Sequence, residues 1–144
     1  VAQLLVRKGA KVLSTRMAAG IGRLDRVRRD VEARSLTDEQ VFDVLRCAVV
    51  CDQIAVVKYF LDRGVDVNVG DREATLLHWA AWEAKPRMVA FLLEQGADPT
   101  VRDADHQALA IDWARYRRDQ LGSRWGHDEV IQVLADHLQR PDDH

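Results

Sequence analysis

The sequence lacks any apolar stretch long enough to cross a membrane. Its longest ones, such as Ala48-Val49-Val50-Cys51, fall far short of the roughly 20 residues that a spanning helix needs, and no basic-then-apolar leader opens the chain. An excess of charge is missing too, because 21 lysines and arginines face 23 acids and leave a net charge of -2. That balance provides no positive field to gather a phosphate backbone. We therefore expect a soluble, cytoplasmic protein that binds neither membrane nor nucleic acid.

Cysteine is also scarce, and no metal-binding spacing stands out. Cys47 and Cys51 lie four residues apart in a predicted helix, with Asp52 beside them. Because two further ligands are not apparent, we favour thiols packed in the core of a protein from a reducing compartment over a metal site. The histidines are scattered along the chain: His78, His106, His127, His137 and His144. The sequence thus indicates no metal and no cofactor.

A short pattern recurs along the chain, at residues 5–10, 60–66 and 92–98. Each copy has two apolar residues, two polar residues, a glycine and a small or apolar residue. Glycine takes the left-handed backbone conformation cheaply and so ends a helix, which makes Gly64 and Gly96 predicted helix stops 32 residues apart. The first helix of each pair repeats as well, since LLHWAA at 76–81 matches AIDWAR at 110–115. These repeats predict a row of similar helix pairs.

Residues 71–98, which read DREATLLHWAAWEAKPRMVAFLLEQGAD, resemble the ankyrin repeat. Thr75 and His78 stand at the threonine and histidine of that family, Leu76 replaces its proline, and one turn residue, the glycine, is missing. The resemblance implies an all-α fold, an α-solenoid of stacked helix-turn-helix ankyrin-like repeats with short hairpin fingers. It also implies that the chain is not an enzyme, in keeping with a sequence that has no nucleotide-binding or nucleophile motif.

The resemblance extends over residues 1–144 as a single ankyrin-repeat domain, although only one repeat is regular. We expect a partial first repeat at 1–13, an irregular one at 14–34, one without the usual TPLH segment at 35–69, the regular one at 70–102 and an expanded C-terminal one at 103–144. Thr37 with Gln40 predicts a capping box at the start of the third of these. The insertion at 115–126 either extends a helix or forms a loop. Because the chain starts at Val1 in a half repeat, we expect the natural polypeptide to extend upstream.

His78 suggests catalysis at first sight, but no nucleophile with an orienting acid lies near it in the sequence. In the family that the chain resembles, this histidine and the threonine hydrogen-bond within and between repeats. The resemblance therefore implies a structural role for Thr75 and His78, alongside the turn glycines Gly64 and Gly96.

The aromatic residues suggest a binding surface. Trp79 and Trp113 occupy the inward position of the family, where we expect them to fill the core. Trp82 and Tyr116 occupy matching positions that line the concave face in ankyrin-like stacks, flanked by Glu83 and Arg117. An exposed aromatic row there has the composition of a protein-binding hot spot, although Trp82 could instead pack on the next repeat. The finger residues would continue this surface: Arg72, Glu73, Ala74, Ala104, Asp105 and Gln107.

The sequence thus predicts a monomeric protein-protein interaction module that binds a partner protein on its concave face, without identifying that partner. An alternative is a regulatory or substrate-recruiting domain of a larger enzyme whose catalytic part lies outside this chain. A third reading is a structural solenoid that assembles with itself.

Overall fold

The computed structural model describes residues 23–33, 36–70 and 74–139. The partial repeat at 1–13 and the larger part of the one at 14–34 lie outside this range. The described part contains seven α-helices: α1 Leu24–Ala33, α2 Asp38–Val50, α3 Ile54–Asp62, α4 Leu76–Trp82, α5 Pro86–Glu94, α6 Ala110–Leu121 and α7 His127–Leu138. The predicted all-α class is confirmed for the described residues. The chain divides into two compact units, one ending at Gly64 and the other beginning at Val65.

In the first unit, α2 and α3 form a hairpin and α1 contacts α3. The predicted capping box is confirmed, because the Thr37 hydroxyl accepts from the Gln40 N–H at 3.2 Å and the Gln40 amide oxygen accepts from the Thr37 N–H at 2.9 Å. The hairpin buries Leu45 and Phe60, and each such side chain contributes about 1.5–3 kcal/mol when removed from water. The prediction of two core thiols is wrong, because Cys51 follows the last turn of α2 and is exposed.

In the second unit, equivalent helices are neighbours: α4 packs beside α6, and α5 packs beside α7. The predicted pairing of segments 76–81 and 110–115 is therefore confirmed. At the turns, Asn68 accepts from the Asp98 N–H at 2.7 Å. This contact ties the loop before one helix pair to the loop after its second helix.

Residues of positive φ make the turns that follow α4 and α5. Gly96 has a φ of +98°, its N–H donates to Leu93 at 3.0 Å, and the next N–H donates to the Leu92 carbonyl at 2.9 Å. This is the Schellman arrangement that the glycine pattern predicts. The prediction that the turn after α4 lacks a residue is wrong. Ala84 occupies this turn in the same left-handed conformation, with a φ of +55°. An alanine has thus replaced the turn glycine of the family.

The insertion at 115–126 combines both predicted forms. Helix α6 continues to Leu121, and a 3₁₀ turn then covers Ser123–Trp125 between two glycines of positive φ, Gly122 and Gly126. Arg118 forms an ion pair with Asp128, which joins the extended end of α6 to the first turn of α7. The expanded repeat therefore keeps its two helices adjacent despite its longer connection.

Candidate functional site

Four aromatic side chains of the second unit converge on one groove. Trp79 and Trp82 come from α4, and Trp113 and Tyr116 come from the neighbouring α6. Because residues three apart on a helix share a face, each helix contributes a pair to the same side. Together they line a cavity of about 740 Å³, which we call the aromatic groove.

Trp113 meets both tryptophans of α4 edge to face. The Trp113 ring lies 5.5 Å from Trp79 at an interplanar angle of 85° and 5.7 Å from Trp82 at 75°. Such T-shaped contacts are the geometry that aromatic quadrupoles favour. Trp79 and Trp113 are half-buried walls of the groove, so their expected place in the core is corrected.

Tyr116 is the exposed edge of the groove, with 58% of its surface accessible. Its ring stacks on that of Trp82, with centroids 6.1 Å apart and planes 17° apart, and its hydroxyl accepts from Gln120 at 3.1 Å. The Arg117 guanidinium lies 4.6 Å from the centre of the Trp82 ring. Trp82 therefore both packs on the next repeat and keeps a half-buried surface in the groove.

His127 holds the backbone that presents Trp82. This histidine begins α7 and is buried, and its Nε2 lies 3.0 Å from the Trp82 carbonyl oxygen. A proton on Nε2 donates to that carbonyl, which is one of the unpaired acceptors at the end of α4. The histidine therefore positions Trp82 from a helix that follows it by 45 residues.

A buried carboxylate, Asp103, organises the finger beside the groove. It accepts from the Ala108 N–H at 2.5 Å and from both the backbone N–H and the Nδ1 of His106, at 3.3 and 3.2 Å. Burial alone raises the pKa of Asp103, but the hydrogen bonds from Ala108 and His106 outweigh it and hold the pKa below its ordinary value of 3.8. The finger thus folds around an ionised side chain.

His78 connects α4 to the same finger. The Thr75 N–H donates to His78 Nδ1 at 3.3 Å, and the Thr75 hydroxyl lies 2.9 Å from the same atom. Because Nδ1 accepts, Nε2 carries the proton and donates to the Ala108 carbonyl at 3.0 Å. Burial lowers the pKa of His78, despite the opposing effects of the Ala108 hydrogen bond and of two nearby carboxylates.

The structure brings together only some of the predicted binding residues. Trp82 and Tyr116 meet in the groove, with Arg117 over the Trp82 ring, whereas Glu83 is exposed just past the end of α4. Asp105 is an exposed finger residue outside the groove lining. Two predicted residues, Arg72 and Glu73, lie outside the described part of the chain.

Gln107 is an exposed finger residue whose side-chain amide is held within the finger. It has a φ of +52°, and its amide donates to the carbonyls of Asp103 and Ala104 within the finger. Ala104 is exposed in that finger and Ala74 is buried before α4. Instead of these side chains, His106, Ala108 and Asp112 complete the lining of the aromatic groove. Sequence reasoning missed them, and the only local signal is that Asp112 is an acid in the first turn of α6.

Within the described ranges, no cluster of three or more potential metal ligands is present. In the same part of the chain, none of the helices has the length and hydrophobicity that a bilayer crossing requires.

The chain is similar to a known repeat family and to parts of several longer proteins. The family model for ankyrin repeats, in three copies, matches residues 1–103. The C. elegans E3 ubiquitin-protein ligase hecd-1 is 40% identical over 81 residues, which is 56% of this chain and 3% of that protein. The palmitoyltransferase AKR1 of Lachancea kluyveri is 45% identical over 62 residues, 42% of this chain and 8% of its own.

A further relative, the palmitoyltransferase Hip14 of Drosophila melanogaster, is 33% identical over 93 residues, covering 61% of this chain and 15% of that protein. The chain therefore spans only a small part of the relatives that it matches. Since the family model covers well over half of the sequence, this chain belongs to the ankyrin repeat family, whose repeats act as protein-interaction modules.

Proposed function

We propose that the chain binds a segment of a partner protein in the aromatic groove, on the concave side formed by first helices and fingers. The observation that supports this most directly is Tyr116, a large aromatic side chain that is 58% exposed yet stacked on Trp82 and held by Gln120. Aromatic anchors beside packed neighbours are typical of binding hot spots.

Preorganisation explains how such a groove would bind. The four rings already contact one another, so a partner orders few new side chains when it docks, and little conformational entropy is lost. Arg117 and Glu83 would contribute at the rim, with Asp105 and Gln107 on the neighbouring finger. We propose a structural role only, without contact to the partner, for four residues: Thr75, His78, Gly64 and Gly96.

The experiment first captures the partner with the full chain and then measures its dissociation constant against variants. Tyr116→Ala removes an exposed groove ring, whereas Trp125→Ala removes a ring that is 62% exposed in the turn after α6 and outside the groove lining. The proposal predicts weaker binding for the first variant and unchanged binding for the second. Equal effects of the two substitutions would place the partner elsewhere.

A second candidate function is recruitment of a substrate or regulator to a larger enzyme. The names of the relatives favour it, because the matched proteins are an E3 ubiquitin-protein ligase and two palmitoyltransferases. In that case the chain itself is non-catalytic and a catalytic part lies outside it. Sequencing the complete transcript tests this, and a transcript without any enzymatic domain would count against it.

We further propose that the chain acts as a cytoplasmic monomer that does not bind nucleic acid. Sedimentation at several concentrations tests the monomer, and a mass that rises with concentration would instead indicate self-assembly. Fluorescence imaging of the tagged full-length protein tests the cytoplasmic location. A retardation assay with duplex DNA and RNA tests whether the chain binds nucleic acid.

A further inference from the structure

We infer that the aromatic groove accepts a tryptophan side chain of the partner, whose indole N–H donates to His106, an inference that rests on the proposed function and specifies what the groove recognises. His106 lines the groove, and 78% of its side chain is accessible. A buried carboxylate holds it, because the Asp103 side chain is 1% accessible and its Oδ2 lies 3.2 Å from His106 Nδ1. An exposed ring of the site is therefore fixed from within the finger.

The pair with Asp103 determines which nitrogen of His106 is an acceptor. Although burial raises the pKa of Asp103, the hydrogen bonds from Ala108 and His106 hold it below its ordinary value, so the carboxylate is ionised and only accepts. In the neutral imidazole, Nδ1 therefore carries the proton and Nε2 is the acceptor. Among the residues that the structure describes, Nε2 has no hydrogen-bond partner. The lining of the groove thus includes a neutral acceptor in a fixed position.

The charged groups beside the groove already have partners, which favours a neutral occupant. Asp112 Oδ1 lies 3.8 Å from the Arg115 guanidinium. The Arg117 guanidinium lies 4.6 Å from the centre of the Trp82 ring. A charged side chain would lose hydration on entering without meeting a charge that still lacks a partner among the described lining residues. A neutral side chain loses less.

The four rings of the groove favour an aromatic occupant over an aliphatic one. Aromatic side chains packed edge to face or offset-stacked on other rings gain more than their buried area alone provides. The cavity of about 740 Å³ is within the range of about 300–1,000 Å³ that encloses small ligands, so it has room for an indole. An indole combines an aromatic body with a single N–H donor and no acceptor, which matches the rings and His106 Nε2.

The test titrates the isotope-labelled full chain with N-acetyl-tryptophan amide at about pH 8, where an ordinary imidazole is neutral, and follows the indole N–H signals of the protein by two-dimensional NMR. Trp79, Trp82 and Trp113 report on the groove, while the exposed Trp125 is a control outside its lining. Parallel titrations use N-acetyl-1-methyltryptophan amide, which lacks the indole N–H, and N-acetyl-leucine amide, which lacks the ring. We expect shifts at the three groove signals only, and at least about fivefold higher affinity for the tryptophan amide than for either analogue.

Two variants separate this contact from a purely structural role of the pair with Asp103. His106→Asn keeps an N–H that can donate to Asp103 but has no atom at the position of Nε2, so it should abolish the preference for the tryptophan amide over its 1-methyl analogue. His106→Gln reaches that position with its amide oxygen but loses the bond to Asp103, and it should keep a preference of at least about twofold.

The reverse pattern, in which His106→Asn keeps the preference and His106→Gln loses it, indicates a structural role and overturns the inference. Equal affinity for the three probes overturns it too, as does an absence of shifts at the groove indoles. Each of these results leaves the proposed function standing if Tyr116→Ala still weakens the captured partner, so the two failures are distinguishable.

Discussion

His78 Nε2 lies 3.0 Å from the carbonyl oxygen of Ala108, so a buried side chain of the regular repeat holds the finger of the following one. Ala108 also lines the aromatic groove. The same hydrogen bond therefore contributes to stability and to the shape of the site. Removing this hydrogen bond should therefore lower the stability of the unit and alter the shape of the groove.

The first prediction concerns this hydrogen bond. His78→Ala leaves the Ala108 carbonyl and the Thr75 N–H without their partner and opens a cavity in the unit. We expect a loss of about 2–4 kcal/mol in the free energy of unfolding, measured by urea denaturation. Lys58→Ala, at an exposed position of α3, is the control and should change it by less than about 0.5 kcal/mol. A His78→Ala variant as stable as this control would contradict the assigned role.

The second prediction is a pH dependence of stability. Burial lowers the pKa of His78 below its ordinary value of 6.5, although the Ala108 hydrogen bond and the charges of Asp103 and Asp112 act in the opposite direction. Below pH 6.5 the unfolded chain therefore binds more protons at this site than the folded protein does. The stability due to neutral His78 is complete above that pH and decreases as the pH falls below it, by at most about 1.4 kcal/mol for each pH unit.

The measurement is urea denaturation between about pH 7.5 and about pH 5.5 for the natural chain and for His78→Gln, which cannot titrate. We expect a flatter pH dependence for the variant. Identical slopes for the two proteins would show that His78 does not titrate differently in the folded state.

The third prediction isolates backbone strain at a turn. Gly96 has a φ of +98°, and a Cβ built there meets no atom within 4 Å. Gly96→Ala therefore adds no steric clash, and its effect is the cost of holding an alanine in a left-handed conformation. We expect a destabilisation of about 1 kcal/mol, read from the urea midpoint. No change in the midpoint would mean that the turn relaxes to another conformation.

The fourth prediction is a substitution that increases stability. Asp52 follows α2 with a φ of +59°, and its buried Oδ1 has no hydrogen-bond partner among the described residues. Asp52→Gly removes both the strain and the unpaired oxygen, so the first unit should gain about 1 kcal/mol in stability. Thermal denaturation measures the gain, and a lower melting temperature would contradict the reading of this turn.

Local patterns predicted the helix starts and stops well. The capping box at Thr37 and the left-handed Gly96 depend on residues close in sequence, so the pattern alone identifies them. Ala84 escaped prediction because alanine seldom adopts a positive φ, and only its neighbours in the fold impose that conformation. A residue type that suits a turn is visible in the sequence, whereas a residue forced into one is not.

The groove was predictable only in part. The three-residue spacing of Trp82 after Trp79 and of Tyr116 after Trp113 indicated two aromatic pairs, and the repeat offset placed them on neighbouring helices. Their orientation depends on tertiary contacts, such as the hydrogen bond from His127 to the Trp82 carbonyl 45 residues away. The half-buried position of Trp79 and Trp113 at the groove, instead of in the core, was not visible in the sequence.

The central claim is that a partner protein binds at the aromatic groove, and the most direct test is the affinity of that partner for Tyr116→Ala. The account predicts a loss of more than about 1 kcal/mol, roughly fivefold in dissociation constant, with circular dichroism unchanged. Trp82→Ala should weaken binding by more than about 1 kcal/mol as well, and Trp125→Ala should not weaken it. Unaltered affinity in folded Tyr116→Ala and Trp82→Ala chains would contradict the claim.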